Sequence, residues 1–171
     1  MLPIILASAS PRRKELFSLL ALPFTVYPPK IPETISPAWP LHTISEELAL
    51  QKAEALRPFF DKNLIVSADT SVILDGKVFG KPHNEEEAKD FLQLLSGRTH
   101  QVDTGVCILP PAHPPVRFSV RTDVTFFELS SEEIDAYVST GEPMDKAGGY
   151  GIQGKGALLV KEICGDYYTV V

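Results

Sequence analysis

The sequence predicts an α/β fold in which a mixed central sheet is flanked by helices. Helix-capping residues alternate with short apolar runs in the first half of the chain, which indicates helices between buried strands. Two long strand candidates, residues 99–109 and 116–128, are joined by a proline cluster, which indicates an antiparallel pair. At 171 residues, 44% of them hydrophobic and 22% charged, the chain can form one packed domain or two small lobes that share a sheet.

The N-terminal segment predicts a buried strand followed by a helix. Residues 4–7 are all apolar, Ser10 is a favourable N-cap, and Pro11 suits the first helical position because its missing N–H costs nothing there. The helix is predicted to span residues 11–20. Its buried side is predicted to carry three leucines, Leu16, Leu19 and Leu20.

Two arginines at the start of this helix break an electrostatic rule. Arg12 and Arg13 fall in the first turn, where the macrodipole disfavours each cation by about 0.3–1 kcal/mol. The later segment Asn84-Glu85-Glu86-Glu87 obeys the rule with a cap and three acids. The exception indicates an anion site, in which amides, hydroxyls and guanidinium groups would converge on a phosphate. The alternative is a pair of solvated arginines on an ordinary helix.

The other predicted elements follow in chain order. The first of them are a strand at 24–27, a helix at 45–56 capped by Thr43 and Glu46, a strand at 64–68 that ends at Asp69, and a hairpin at 70–79 around Asp75-Gly76. The later ones are a helix at 85–95 stopped by Gly97, the two long strands, a helix that Ser131 caps and Gly141 ends, and strands at 157–163 and 167–171. Early alternation and a later antiparallel region together predict the mixed sheet.

Composition narrows the class of partner and the compartment. The net charge of −6 argues against broad attraction to nucleic acids or membranes, although a local cationic pocket for a small polyphosphate can coexist with it. No membrane span or signal peptide is expected, because the apolar runs are short and no basic region precedes the first one. Cys107 and Cys164 lack metal-ligand spacing and are expected as reduced thiols in a cytoplasm.

Two carboxylates are candidates for chemistry. Asp69 is predicted at the carboxyl end of a buried strand, where ligands collect in open α/β sheets, and it could hold a metal or accept a proton from water. The alternative is a turn aspartate that opens the hairpin. Glu33 lies in a proline-stiffened loop, which suits a metal ligand and equally suits an ordinary surface loop.

Cations and glycines supply the remaining candidates. Lys52 and Lys81 are each either a phosphate contact or an ordinary surface lysine. Residues 145–156 hold five of the eleven glycines, which indicates close backbone approach to a ligand or a series of tight turns. Within this segment, Tyr150 could stack on a base and Gln153 could pair with a base edge. Together the candidates favour chemistry on a polyphosphate with a divalent metal.

Seven motifs span nearly the whole chain in a fixed order. They are Leu6-Ala7-Ser8-Ala9-Ser10-Pro11-Arg12-Arg13, Ser67-Ala68-Asp69-Thr70, Gly80-Lys81-Pro82, Leu95-Ser96-Gly97-Arg98-Thr99-His100, Thr104-Gly105-Val106, the segment 141–154, and Gly165-Asp166-Tyr167-Tyr168. In this order they resemble the motifs of the Maf family of nucleoside triphosphate pyrophosphatases.

The resemblance implies a fold, a reaction and a site. The fold would be similar to that of inosine triphosphate pyrophosphatases, with two lobes around a cleft, and residues 1–171 would form a single domain. The enzyme would hydrolyse a nucleoside triphosphate to the monophosphate and pyrophosphate. Asp69 would be the proton acceptor and, with Glu33, would hold Mg²⁺ or Mn²⁺. The phosphate contacts would come from Ser8, Arg12, Arg13, Lys52 and Lys81, with Lys81 also counted as catalytic.

The resemblance also implies a subgroup of the family, and the sequence departs from the family pattern at two points. Arg12, Thr70 and Gln153 match the branch that is similar to dTTP/UTP pyrophosphatases, which implies pyrimidine nucleotides, modified ones included, as substrates of a cytoplasmic house-cleaning enzyme. Glu33 lacks the second acid often found beside it, and the chain stops at Val171, where relatives usually continue into a closing helix. The resemblance leaves a homodimer open. The alternative function is a nucleotide-binding regulatory module in cell division or septum formation.

Overall fold

The structure, a computed structural model, describes residues 2–171 as an α/β chain. Its strands are β1 (Ile4–Ala7), β2 (Phe24–Val26), β3 (Leu64–Leu74), β4 (Lys77–Phe79), β5 (Thr99–Leu109), β6 (Val116–Phe126) and β7 (Val160–Cys164). Its α-helices are α1 (Pro11–Ser18), α2 (Ile44–Leu56), α3 (Glu85–Leu95), α4 (Ser131–Val138) and α5 (Tyr167–Val170). Short 3₁₀ turns cover Leu41–Thr43, Glu142–Asp145, Ala147–Gly149 and Gly154–Leu158. In this range no helix has both the length and the apolar character needed to cross a membrane.

The described strands form one sheet in the order β2-β1-β3-β5-β6-β7, with β4 paired to β3. β1 runs parallel to both β2 and β3, whereas β4 runs antiparallel to β3 and β7 runs antiparallel to β6. The predicted fold class, a mixed sheet with flanking helices, is therefore confirmed.

The chain forms two compact units, and the boundaries between them fall inside β3, β5 and β6. Unit 1 comprises residues 2–69 and 104–119, and unit 2 comprises residues 70–103 and 120–171. The core of unit 1 is built from Ile5, Ala7, Ala49, Ala53, Leu56, Ile65, Cys107 and Leu109. The core of unit 2 includes Val72, Leu92, Leu95, Val102, Val124, Phe126, Tyr137 and Tyr150.

Helix α1 begins as predicted and ends early. The Ser10 hydroxyl accepts a backbone N–H of the first turn at 3.3 Å, which confirms Ser10 as the cap. The helix stops at Ser18 rather than at residue 20. The prediction of a buried leucine side was wrong, because Leu19 and Leu20 lie in the turn after the helix and are 70% and 58% exposed. The helix itself buries no residue completely.

Helix α2 forms without its predicted capping box. It begins at Ile44, one residue earlier than predicted, and Thr43 makes no side-chain bond to its first turn. The Thr43 hydroxyl instead donates to the Pro40 carbonyl at 2.9 Å, because Thr43 belongs to the preceding 3₁₀ turn.

Strand β3 runs through Asp69 rather than ending there. Antiparallel pairing with β4 continues the strand to Leu74, so the predicted boundary at residue 69 was wrong. The predicted hairpin turn is confirmed, since Asp75 and Gly76 adopt positive φ values of 50° and 74°. The parallel neighbour β1 stops earlier, where Ala7 lies opposite Ser67. Asp69 therefore lies two residues beyond the last pair between β1 and β3.

The C-terminal third differs from prediction at three short elements. Ser130, rather than Ser131, caps α4 in a full capping box with Glu133. Strand β7 begins at Val160, because residues 154–158 form a 3₁₀ turn. Residues 167–170 are helical instead of extended, because the Asp166 carboxylate caps them by accepting the Thr169 amide at 2.7 Å.

Candidate functional site

Asp69 faces helix α2 because of its position on β3. Side chains alternate along a strand, so Ser67 and Asp69 lie on the same face. The Ser67 hydroxyl donates to the Ala49 carbonyl of α2 at 2.5 Å, which fixes this face against the helix. Lys52 follows Ala49 by three positions and so lies nearly one helical turn further along the same side. The strand and helix periods together bring Lys52 to Asp69.

Lys52 lies between two carboxylates. Its Nζ forms ion pairs with Asp69 Oδ1 and with Glu33 Oε1, the second at 3.0 Å. The side chains of Lys52 and Asp69 are 12% and 9% exposed, whereas that of Glu33 is 46% exposed. One carboxylate of the bridge is therefore buried and the other is open to solvent.

Gln51 fixes the loop that carries Glu33. Its Nε2 donates to the Thr34 carbonyl at 2.9 Å, and its Oε1 accepts the Thr34 amide at 3.4 Å. These two bonds hold the backbone beside Glu33 against α2. The sequence analysis missed Gln51, because an amide on a helix carries no signal beyond its position next to Lys52.

Arg13 reaches β3 from α1. Its Nη1 donates at 2.7 Å to the carbonyl of Ala68, the residue before Asp69. Burial lowers the pKa of the Arg13 guanidinium, and the charges of Asp69 and Glu33 oppose this effect. Burial likewise raises the pKa of the Asp69 carboxyl, and Lys52 and Arg13 oppose it. Burial thus makes Asp69 a stronger base than a solvated aspartate, as a proton acceptor requires.

Ser8 and Arg12 belong to the same N-terminal turn. Ser8 is buried, and its hydroxyl accepts the Ser10 amide at 3.1 Å. Arg12 is half-buried, and its charge helps to lower the pKa of Arg13. The turn and the first residues of α1 therefore carry two serines and two arginines, and the anion site expected there stays a prediction.

The two carboxylates of this site suit a divalent metal that takes only one or two of its ligands from the protein. Glu33 and Asp69 converge on one ammonium, so both carboxylates can reach a single cation. Across residues 2–171 no group of three or more histidine, cysteine or acidic side chains could hold a metal ion. Mg²⁺ is commonly bound by one or two carboxylates, with substrate phosphates and water as its other ligands. Two convergent carboxylates match that pattern.

Three further predicted site residues belong to unit 2. Thr70 is half-buried on β3, Lys81 is exposed after β4, and Gln153 is exposed within the glycine-rich segment 145–156. The carbonyl of Gly80 accepts the Gly148 amide at 3.0 Å. The backbone just before Lys81 is therefore tied to the glycine-rich segment that carries Gln153.

The glycine-rich segment closes on itself through backbone contact. A Cβ at Gly156 would lie 2.1 Å from the carbonyl oxygen of Gly151, so no side chain fits there. The Tyr137 hydroxyl accepts the Gly151 amide at 3.3 Å and braces the same point from α4. Gln153 lies between these two glycines. These contacts and the two 3₁₀ turns agree with the predicted series of tight turns, and backbone approach to a ligand stays a prediction.

Tyr150 is a core residue. It is 5% exposed, its hydroxyl is bonded to His100 Nε2 at 2.6 Å, and its ring packs edge-on against Phe126. The prediction that Tyr150 stacks on a base was therefore wrong, because the ring fills the core of unit 2. Burial also lowers the pKa of His100 to about 4. Its Nδ1 has no hydrogen-bond partner in the described part of the chain.

Known proteins resemble this chain along its whole length. The dTTP/UTP pyrophosphatase of Bacillus cereus (strain AH187) is 52% identical over 171 residues, which is 100% of this chain and 89% of that protein. The dTTP/UTP pyrophosphatase of strain Q1 is also 52% identical, with the same coverage.

Two solved structures share the fold. The Ham1 protein of Staphylococcus aureus aligns with a TM-score of 0.55 at 18% identity, covering 72% of this chain and 71% of that one. A HAM1 protein from Coxiella burnetii gives a TM-score of 0.54 at 18% identity, covering 74% of this chain and 73% of that one. The family model described as "Maf-like protein" matches residues 3–171, which include every element and candidate residue described above. This match and the identity to the Bacillus proteins place the chain in the Maf family.

Proposed function

We propose that this protein hydrolyses nucleoside triphosphates, dTTP and UTP above all, to the nucleoside monophosphate and pyrophosphate. The observation that carries the proposal is the cluster of Asp69, Lys52, Glu33 and Arg13, in which two carboxylates and two cations meet. The name of the Bacillus relatives, dTTP/UTP pyrophosphatase, supports the same reaction and substrates.

The reaction assigns a role to Asp69. A water molecule attacks the α-phosphorus and passes a proton to the Asp69 carboxylate, while the bond from the α-phosphorus to the bridging oxygen breaks and pyrophosphate leaves. The buried setting and raised pKa of Asp69 support this role. Arg13, bonded to the adjacent Ala68 carbonyl, keeps the local backbone in place.

We assign the divalent metal to Glu33 and Asp69. A bound Mg²⁺ or Mn²⁺ would offset the charge that builds on the phosphoryl oxygens. The phosphate contacts are assigned to Ser8, Arg12, Arg13, Lys52 and Lys81. Of these, Lys81 also acts as a catalytic cation that offsets charge on the departing pyrophosphate.

Base selection is assigned to three residues. A threonine hydroxyl and a neutral amide, from Thr70 and Gln153, would pair with the O4/N3 edge of thymine or uracil. Arg12 completes the set. The exposed position of Gln153 leaves its amide open to a ligand.

We propose further that residues 1–171 work as one domain in the cytoplasm, and that the protein acts on free nucleotides, modified pyrimidine nucleotides included. The acidic balance, with a net charge of −6, supports a small-molecule substrate over nucleic acid or membrane. A homodimer is part of the same proposal, and sedimentation of the purified protein tests it.

Pyrophosphate release tests the reaction. The purified protein is incubated with dTTP, UTP, dCTP or ATP, each with Mg²⁺ or Mn²⁺, and pyrophosphate is measured alongside the monophosphate. Release of equal amounts of both products from dTTP and UTP is expected. Absence of release from every nucleotide would overturn the proposal and favour a regulatory binding module. Equal release by Asp69→Asn would overturn the assigned mechanism.

A further inference from the structure

We propose that Lys52 is an exchangeable counter-cation, which neutralises Glu33 and Asp69 in the metal-free protein and is released when a divalent metal binds that pair. The released ammonium then serves the phosphates of the substrate. This inference rests on the proposed function, because it concerns the carboxylates and phosphates of the same site.

The ammonium of Lys52 lies between the two carboxylates to which the metal is assigned. Its Nζ contacts one oxygen of each carboxylate, and the distance to Glu33 Oε1 is 3.0 Å. Two carboxylates this close repel each other unless a cation stands between them. Lys52 supplies that charge through its two ion pairs.

A divalent ion and the ammonium compete for the same oxygens. A divalent ion held by both carboxylates would lie close to the Lys52 ammonium, and repulsion between the two cations favours release of the two ion pairs. Lys52 can leave, because its four-carbon side chain is flexible and its ammonium is a rotatable point charge. Glu33, which is 46% exposed, gives solvent ions access to the pair.

Arg13 differs from Lys52 in the group to which it is tied. Its guanidinium donates to the Ala68 carbonyl, a backbone acceptor that a metal at the carboxylates leaves untouched. The helix that carries Lys52 is equally fixed, since Ala49 and Ala53 on either side of it are fully buried. Arg13 keeps this backbone bond while its charge still acts on Asp69 and Glu33, so the exchange is assigned to the Lys52 side chain.

Exchange couples the two ligands of the site. The Lys52 ammonium can either neutralise the carboxylates or contact a triphosphate. When a metal binds the carboxylates, the ammonium becomes available to contact the triphosphate. Metal and nucleotide should therefore strengthen each other's binding, and linkage makes the effect equal in both directions. Removing the ammonium should tighten metal binding and weaken this coupling.

Manganese binding tests the inference without catalysis. Free Mn²⁺ is measured by electron paramagnetic resonance while Mn²⁺ is added to the full chain, to Lys52→Met and to Glu33→Gln. We expect Lys52→Met to bind Mn²⁺ about tenfold more tightly than wild type and Glu33→Gln to bind it more weakly. The control Lys89→Met, which removes a surface ion pair with Asp135, should match wild type. Unchanged or weaker binding by folded Lys52→Met would overturn the inference.

A second measurement uses only the wild-type chain. The ¹⁵N chemical shifts of the lysine ammonium groups are followed by nuclear magnetic resonance while Mg²⁺ is added. The chemical shift of Lys52 should change, and that of Lys89 should stay constant. A Lys52 signal that stays constant would overturn the inference even if Lys52→Met fails to fold. Absence of pyrophosphate release together with exchange of Lys52 for the metal would reject the proposed function and the role toward phosphates, and would leave the exchange itself supported.

Discussion

The charged cluster of unit 1 and the glycine-rich segment of unit 2 are held in place in different ways. In the cluster, side chains from three separate segments are joined by ion pairs around Lys52. In residues 145–156, backbone lies against backbone where Gly156 meets Gly151, and the Tyr137 hydroxyl braces the same point. The segment also holds an ion pair, that of Lys146 with the preceding aspartate. Ion pairs therefore position the first region, whereas backbone packing has the larger part in the second.

This difference predicts that the charged cluster matters most for catalysis and the glycine-rich segment most for stability. Removing one charge from the cluster removes a group to which the reaction is assigned, so it disturbs reactivity in addition to the cost of leaving its partner without a counter-charge. Adding a single carbon to the glycine-rich segment forces backbone atoms apart, which disturbs stability first. Substitutions in the two regions should therefore divide between activity and stability.

Asp69→Asn should produce the largest effect and should act on activity. The amide cannot accept the water proton, so kcat for dTTP should fall by about 10²–10⁴-fold. Steady-state pyrophosphate release measures the loss. The matched control is Asp75→Asn, since Asp75 is an exposed hairpin aspartate at positive φ, a conformation that asparagine tolerates well. A comparable loss of kcat in Asp75→Asn would contradict the assignment of Asp69 as the proton acceptor.

Gly156→Ala should act on stability. The new Cβ would lie 2.1 Å from the Gly151 carbonyl oxygen, and relieving this overlap should lower the free energy of unfolding by about 3 kcal/mol. Urea unfolding followed by circular dichroism measures the change. Gly80→Ala is the control, because a Cβ at Gly80 meets nothing within 4 Å. Equal stability of the two variants would contradict the close-packed backbone.

The outcome of the sequence analysis follows the same division. Features set by a few neighbouring residues were predictable: the Ser10 and Asn84 caps, the Asp75-Gly76 turn and the span of α3 all agree with the structure. Their physics is local, because a cap or a turn satisfies backbone groups within three or four residues.

Features set by distant packing were not predictable in the same way. Leu19 and Leu20 have the spacing of a buried helix face, yet nothing covers the turn in which they lie. The position of Tyr150 among glycines suggests an aromatic side chain that binds a ligand. In the structure, contacts with His100 and Phe126 place its ring in the core of unit 2. Tyr167 begins a helix because of the single cap at Asp166.

The candidate site combines features that the sequence predicts with features that depend on distant packing. Asp69, Lys52, Glu33 and Arg13 were candidates, and the periods of α2 and β3 explain why Lys52 and Asp69 meet. The sequence could not give the bridging position of Lys52 between two carboxylates, nor the hold of Gln51 on the loop, because both depend on how that loop lies against α2.

Acid should weaken unit 2 through His100. Burial lowers its folded pKa to about 4 from 6.5, so folding favours the neutral ring. The stability that this provides is complete above pH 6.5 and is lost as the pH falls toward 4, by about 3 kcal/mol at most. Unfolding free energies from urea titrations across this range measure the slope. His100→Gln should flatten it, whereas His113→Gln, at an exposed loop position, should leave it unchanged.

Tyr137→Phe should produce the smallest effect and is the most direct probe of the uncharged brace. The variant removes only the hydroxyl that accepts the Gly151 amide at 3.3 Å, and such a bond contributes about 0.5–1.5 kcal/mol to stability. Because Gln153 follows Gly151 by two residues, loosening this point should raise KM for dTTP while kcat is largely kept. Tyr168→Phe, which removes a hydroxyl from a side chain that is 59% exposed, is the control. A fall in kcat at constant KM would instead tie Tyr137 to the chemical step, and substitutions in the two regions would no longer divide between activity and stability.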